Sequence, residues 1–376
     1  MSAVDPVPSG GRLIHLGPPK TGTTVVQGAL AASRDSLAQH GVGVLPQEGT
    51  RAWEATLSLI GKKLPGGAFA PDIALWEDFV RSADALSADK LVVSDEAFAK
   101  ATGDAVTRLI CDLGGPQGYF VYVVRRIDKL MLSAWQETLK GGLQRRSLGE
   151  WLPIVLGDDR SKTAWRNFWQ SQDLDEFTGR FLEHVPPDRL ILVVADEGNS
   201  NQLLPTFERL LGVPGGTLQL PKGKRTNRSL TLNEAELVRQ VFARGRDADW
   251  SKDDKWFLVR EGLVMNHLGR SERRAEDVSL RIPNQHRDPI KQLTADRIAK
   301  LGALQRDGAQ IVGEPSWLEV PDDGFADLPT PEELTLPVAA VADLVAATVE
   351  AARRRPKVER KDRDSFQRQS ERVRGS

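Results

Sequence analysis

The segment at residues 12–26, RLIHLGPPKTGTTVV, constrains the fold of this chain more than any other stretch. The apolar run Leu13–Leu16 predicts a short strand, a turn rich in Gly and Pro follows, and a helix begins straight after it. Such a helix start presents unpaired backbone N–H groups and the positive end of the helix dipole. Gly17 and Gly22 allow close backbone approach, and Lys20 adds a positive charge. We interpret the segment as a phosphate-binding loop.

The position of the lysine indicates which kind of loop this is. In the Walker A pattern, G-x-x-x-x-G-K-[ST], the lysine directly follows the second glycine. Here Gly17 and Gly22 keep that spacing, but Thr23 follows Gly22 and Lys20 lies two residues before it. A P-loop kinase that uses ATP or GTP therefore remains an alternative, as does an ordinary turn that only caps a helix.

Composition excludes several classes of protein. With 376 residues, 40% hydrophobic and 27% charged, the chain can bury a large α/β core. The formal net charge of −1 gives no general attraction to nucleic acid or to a membrane surface. Cys111 is the single cysteine, which excludes an internal disulfide and fits a reducing compartment. Residues 336–352 are apolar but carry Asp343 and Glu350, so we expect an amphipathic helix rather than a membrane span. Residues 1–11 lack the basic start and apolar core of a signal peptide. Together with the cysteine usage, this leads us to expect a cytoplasmic protein.

Strand and helix patterns alternate along the chain. Strands are predicted at Gly41–Pro46, Leu91–Val93, Tyr119–Val124 and Leu190–Val194, with helical periodicity between them. This alternation predicts an α/β fold, a three-layer sandwich like that of P-loop NTPases with a central, mostly parallel sheet. Ligands then bind outside the carboxyl ends of the strands, where acidic or basic residues follow three of the predicted strands.

The boundaries follow from changes in this pattern. We expect a flexible N-terminus over residues 1–11, an α/β domain over 12–315 and a loop with a C-terminal helix over 316–352. Helical additions in the second half begin at a Thr231…Glu234 capping box. Residues 353–376 hold 10 Lys and Arg against 4 Asp and Glu with few apolar residues, so we expect a basic, solvated and partly disordered tail; an arm that binds polyanions is the alternative.

The P-K-T-G-T-T loop after a strand closely resembles the 5′-phosphosulfate loop of sulfotransferases that use 3′-phosphoadenosine 5′-phosphosulfate (PAPS), in particular their bacterial members. The resemblance extends from Arg12 to about Gly313. It implies transfer of a sulfuryl group from PAPS to a hydroxyl or amine of an acceptor, without a metal ion. Lys20 would stabilise the bridging oxygen, and the 5′ group would be held by Thr21, Gly22, Thr23 and Thr24. The acceptor stays open among glycan, lipid and small molecule.

A second phosphate site is predicted where the fourth strand ends. Arg125 closes the strand and Ser133 follows eight residues later, so that both can meet one anion. This pair resembles the 3′-phosphate site of PAPS sulfotransferases and favours Arg125 over Arg126, although the usual R-N-P is R-R-I here. The basic loop 222–225 resembles a late segment that lies over the nucleotide, which makes Arg225 a further candidate; a solvated loop is the alternative.

The third site is Ser94-Asp95-Glu96, after the third strand. Transfer to a hydroxyl needs a proton acceptor, and Glu or His commonly serves. Many carbohydrate sulfotransferases are similar in using glutamate, whereas the steroid and phenol type uses histidine. Glu96 is our candidate, Asp95 ranks behind it, and either residue could instead cap the next helix. His15 lies inside a strand and is expected in the core.

No two histidines have ligand spacing, so no metal site is predicted. Nine tryptophans could stack on a sugar, but Trp165 and Trp169 lie one helical turn apart, which favours core packing. The non-enzymatic alternative is a nucleotide-binding module without turnover. Binding of adenosine 3′,5′-bisphosphate without sulfate transfer would indicate it.

Overall fold

The structure is a computed structural model that describes residues 4–47, 52–64, 69–199, 202–221, 228–268 and 277–354. Contacts within the chain define two compact units. The first comprises residues 1–135, 148–224 and 281–328, and the second comprises residues 136–147, 225–280 and 329–376. Residues 225–280, which the sequence analysis placed in the α/β domain, thus group with the C-terminal segment.

The first unit is built on a parallel six-stranded sheet with the order β2-β3-β1-β4-β5-β7. A separate two-stranded ladder pairs β6 with β8. The strands are β1 (Arg12–His15), β2 (Val42–Leu45), β3 (Lys90–Ser94), β4 (Gly118–Val124), β5 (Leu190–Val194), β6 (Ile282–Pro283), β7 (Gln310–Val312) and β8 (Phe325–Ala326).

Fourteen α-helices are described, and they are numbered in chain order. They are α1 (Thr23–Ala32), α2 (Arg34–Gln39), α3 (Ala52–Leu59), α4 (Ala74–Asp84), α5 (Asp104–Leu109), α6 (Ile127–Lys140), α7 (Leu148–Leu156), α8 (Thr163–Gln172), α9 (Leu174–Leu182), α10 (Leu203–Leu211), α11 (Leu232–Asp247), α12 (Lys252–Asp254), α13 (Arg287–Arg306) and α14 (Val338–Arg354). A π-helical turn, Ile110–Gly114, extends α5.

Alternate strand residues pack into two cores, one on each face of the sheet. On one face, Ile14 and Tyr122 pack among residues of α3, α4, α5, α9 and α13. On the other face, Leu13 and Val121 pack among residues of α1, α2 and α10. Burial on both faces explains why the strands read as continuous apolar runs rather than as an alternation. The predicted α/β class with a parallel central sheet is therefore confirmed.

The second unit is helical. The Thr231 hydroxyl accepts a hydrogen bond from the Glu234 N–H, and the Glu234 carboxylate accepts one from the Thr231 N–H, so α11 begins with the predicted capping box. A π-helical segment, Lys255–Leu268, follows α12 and packs against α14. Gly262 lies where an added Cβ would be 2.5 Å from the Cβ of Ala351, so a larger residue would separate these two helices.

Further features differ from the sequence-based expectations. The edge strand β7 was not predicted, because three residues between Gly308 and Gly313 carry too little pattern. Residues 4–11 were expected to be flexible, yet Val4 and Val7 are buried and the Val7 N–H donates to the Leu210 carbonyl at 2.7 Å. No helix in the described parts of the chain combines the length and the apolar character that a bilayer crossing requires.

Candidate functional site

Strand order places the predicted phosphate-binding loop at the centre of one sheet edge. The loop follows β1, which pairs with β3 and β4 on its two sides, with His15 opposite both Ser94 and Val121. The carboxyl ends of three parallel strands therefore lie side by side. The first residue of the loop remains hydrogen-bonded to the neighbouring strand β4, because the Gly17 carbonyl accepts from the Val123 N–H at 2.9 Å.

Side chains hold three consecutive carbonyl groups of the loop. The donors come from the loop itself, from the end of α8 and from the end of β4, so that distant segments fix the direction of these carbonyls. The hydrogen bonds run from Thr21 Oγ1 to the Pro18 oxygen at 2.7 Å, from Gln172 Nε2 to the Pro19 oxygen at 2.8 Å and from Arg125 Nη1 to the Lys20 oxygen at 2.7 Å.

The backbone of the loop is left-handed at three positions. The φ angles are +91° at Gly17, +73° at Lys20 and +95° at Gly22. A lysine in this region costs conformational energy, which the surrounding hydrogen bonds must offset. Gly22 is the N-cap of α1 and provides no side-chain cap. Among the described residues, the backbone N–H groups of Thr23 and Thr24 have no acceptor, as suits a helix start that receives an anion.

Glu96 lies directly against the loop. Its Oε2 accepts a hydrogen bond from the hydroxyl of Thr23 at 2.5 Å, and Thr23 is buried in the first turn of α1. A Cβ added to Gly17 would lie 2.8 Å from the Cα of Glu96, so the backbones of these two segments are in contact. The structure thus brings the predicted carboxylate and the predicted loop together.

Asp95 has a different environment. One of its carboxylate oxygens accepts from the Ala97 N–H and the other from the Thr56 hydroxyl, both at 2.8 Å. Burial raises the pKa of Asp95 to about 6, against the opposing effect of these two hydrogen bonds. The interpretation as a helix cap therefore describes Asp95, which begins the 3₁₀ turn Glu96–Lys100 and fastens α3.

His15 is a core residue, as the sequence indicated. Its side chain is fully buried, with Nδ1 2.7 Å from the Ser94 hydroxyl and the ring edge-on to Phe207. Burial lowers the pKa of His15 to about 3, so the imidazole is neutral at physiological pH. A ring without exposed surface cannot reach a proton on a bound acceptor.

Arg125 contacts the loop but is also paired. Its Nε and Nη2 donate to the two carboxylate oxygens of Glu197, at 2.5 and 2.9 Å, while Nη1 holds the Lys20 carbonyl. A phosphate at Arg125 would therefore have to replace or share the Glu197 carboxylate. The neighbouring Arg126 forms a fork to Asp128 instead. Ser133 is half-buried on α6 and has no partner among the described residues.

Two residues of this neighbourhood had no sequence signal. Gln172 ends α8, and its carbonyl accepts from Nη1 of Arg297 at 2.9 Å. Arg297 is buried on α13, where burial lowers its pKa. Neither belongs to a motif, and only the packing of α8 and α13 reveals that they support the loop. Arg225 and the rest of its basic loop lie outside the described residues, as does the tail 355–376.

Most of the described tryptophans are buried or half-buried, whereas Trp53 and Trp256 are exposed. The side chains of Trp135 and Trp151 are buried, and the Trp169 indole donates to the Val155 carbonyl at 2.7 Å. In the part of the chain that the structure describes, no three His, Cys, Asp or Glu side chains form a cluster that could hold a metal ion.

A cavity of about 260 Å³ opens beside Glu96. It lies at the carboxyl ends of β2 and β3, and residues of α1 and α3 complete its walls. Its lining residues are Gln27, Leu30, Ala31, Arg34, Val44, Leu45, Pro46, Ala52, Trp53, Ser94, Asp95 and Glu96. A small molecule in this cavity would meet the carboxylate that contacts the loop.

Comparison with known proteins finds distant similarity to solved structures. No protein-family model matches the chain. No curated protein matches it either. A solved sulfotransferase from Alicyclobacillus acidocaldarius is similar in structure at 14% sequence identity, with a TM-score of 0.38 over 65% of this chain and 95% of that chain.

Proposed function

We propose that this protein is a sulfotransferase that moves a sulfuryl group from PAPS to an acceptor hydroxyl or amine. The observation that carries the proposal is the contact between Thr23 of the loop and Glu96, at 2.5 Å. It supports an arrangement in which a donor anion held by the loop and an acceptor beside Glu96 lie next to each other. Such positioning is the main requirement of an in-line group transfer.

In the proposed step, the acceptor oxygen attacks sulfur while the bond from sulfur to the bridging oxygen of the donor breaks. The acceptor proton passes to the Glu96 carboxylate, and adenosine 3′,5′-bisphosphate leaves with the bridging oxygen. Lys20 and the N–H groups at the start of α1 stabilise the charge that develops on that oxygen and on the sulfuryl group. The side-chain bonds to the carbonyls of Pro18, Pro19 and Lys20 support this role, because they keep these acceptors directed at protein donors.

For the nucleotide, we propose that the donor's 3′-phosphate binds near Arg125 and Ser133. The Glu197 carboxylate, which forms a fork with Arg125, would then give up at least one hydrogen bond when the nucleotide binds. Arg225 remains a proposed nucleotide contact.

A P-loop kinase is the second candidate, because the Thr23–Glu96 pair is also compatible with it. A loop hydroxyl beside an acidic strand end is an arrangement that can hold the magnesium ion of a nucleoside triphosphate. The position of Lys20 before the second glycine speaks for the sulfotransferase.

The test is a ligand-dependent unfolding experiment. We expect adenosine 3′,5′-bisphosphate to stabilise the protein by about 2.7 kcal/mol at a hundredfold excess over its Kd, and ATP with magnesium to do much less. Lys20→Ala should remove most of this stabilisation, whereas Lys63→Ala, a change at an exposed lysine, should leave it intact. Equal stabilisation by both nucleotides would refute the sulfotransferase proposal.

Turnover is tested separately, by incubating the protein with PAPS and pooled acceptors and searching for sulfated products by mass. Binding of the bisphosphate without any product over a broad acceptor panel would instead support a nucleotide-binding module.

A further inference from the structure

The cavity beside Glu96 has walls that limit what can bind in it. Leu30 and Val44 line it and are almost fully buried, and the exposed ring of Trp53 lines it as well. Pro46 and Ala31 complete the apolar surface. A ligand with an apolar body would exchange water for these side chains favourably.

The polar residues of the wall are largely engaged by the protein itself. Arg34 donates to the carbonyls of Val44 and Pro46. The Ser94 hydroxyl is bonded to the ring of His15. Both oxygens of Asp95 accept hydrogen bonds, as described above.

Among the described lining residues, three side-chain polar groups remain to contact a ligand. They are the amide of Gln27, the Oε1 of Glu96 and the indole N–H of Trp53, none of which has a partner among the described residues. A molecule with many hydroxyl groups would lose its hydrogen bonds to water here without replacing most of them. An anionic molecule would also meet the Glu96 carboxylate at short range.

We propose that this cavity is the acceptor site and that its substrate is an uncharged alcohol or phenol on an apolar body of about one or two rings. The inference rests on the proposed sulfotransferase function and goes further by naming the substrate class. The hydroxyl binds at Glu96 Oε1, gives its proton to that carboxylate and forms the new bond to sulfur as the bond to the bridging oxygen breaks. Gln27 supplies a hydrogen bond, and the apolar walls hold the ring.

The test measures acceptor binding by ligand-observed NMR in the presence of adenosine 3′,5′-bisphosphate. The probes are 2-naphthol, its anionic counterpart 2-naphthoate, and methyl glucoside as the polyhydroxylated comparison. The variant is Ala31→Leu, which places a larger side chain in the cavity wall from an exposed helix position. The matched control is Ala32→Leu, also exposed on α1 but outside the lining.

We expect 2-naphthol to bind to the wild type and to Ala32→Leu, and Ala31→Leu to weaken its binding by about tenfold or more. Methyl glucoside and 2-naphthoate should bind much more weakly than 2-naphthol. The proposal is overturned if 2-naphthol does not bind, if both variants bind it alike, or if either comparison probe binds as well. Loss of stabilisation by the bisphosphate would instead point to failure of the sulfotransferase proposal itself.

Discussion

Replacing Gly17 by alanine should destabilise the protein by more than the left-handed backbone conformation of Gly17 alone would cause. Gly17 has a φ of +91°, and a Cβ there would lie 2.8 Å from the Cα and 3.1 Å from the carbonyl oxygen of Glu96. These are backbone atoms, which cannot swing aside as the end of a flexible side chain can. The left-handed conformation costs an L-residue about 1–2 kcal/mol. Overpacking against a rigid neighbour adds about 1–3 kcal/mol.

The free energy of unfolding should therefore fall by about 2–5 kcal/mol in Gly17→Ala. Gly10 provides the matched control, because its φ is +77° and an added Cβ would meet no atom within 4 Å. Gly10→Ala should lose only the conformational part, about 1–2 kcal/mol. The difference between the two variants isolates the contact with Glu96.

The assay is urea unfolding of both variants, followed by titration with adenosine 3′,5′-bisphosphate. The clash should also separate Glu96 from the Thr23 hydroxyl and weaken binding of the nucleotide in Gly17→Ala alone. Equal losses of stability in the two variants would show that the loop does not rest on the Glu96 backbone, and would refute this reasoning.

Three further predictions concern the residues around the loop. Arg125→Ala should weaken binding of the bisphosphate by about tenfold or more, because a charged hydrogen-bond donor is lost, and calorimetry measures this affinity. Arg126→Ala should weaken binding less. The opposite ranking would shift the proposed 3′-phosphate site by one residue. Glu96→Gln should keep nucleotide binding while single-turnover sulfate transfer falls by about 10²–10⁴-fold; a rate within a few-fold of the wild type would remove Glu96 from the mechanism. Burial raises the pKa of Asp95 from 3.8 to about 6, so the folded state holds this proton more tightly than the unfolded state. The free energy of unfolding should therefore fall by about 3 kcal/mol as the pH rises from about 4 to 6 and Asp95 ionises. Asp95→Asn should remove that fall from the urea-unfolding profile, and an unchanged pH dependence would contradict the assignment.

The chemical types of the site residues followed from local patterns. A turn with Gly17, Lys20 and Gly22 between a strand and a helix needs only its own residues to be recognised, because glycine conformation and helix dipoles act over one or two turns. The same holds for the capping box at Thr231. Continuous apolar runs such as β4 also indicated strands that are covered on both faces, as the structure has them.

The partners of these residues depend on which strands are neighbours, and local sequence does not encode strand order. Thr23 meets Glu96 across 73 residues, Arg125 meets Glu197 across 72, and Gln172 reaches the Pro19 carbonyl across 153. The order β2-β3-β1-β4-β5 places the ends of β3, β1, β4 and β5 side by side. Residues that are adjacent in sequence at these ends contact different neighbours and so have different roles. Asp95 turns inward to cap a 3₁₀ turn while Glu96 faces the loop, and Arg125 holds the loop while Arg126 pairs with Asp128. Predicting the strands from sequence identifies the residues that lie at the sheet edge, but only the tertiary packing determines which of them contact each other.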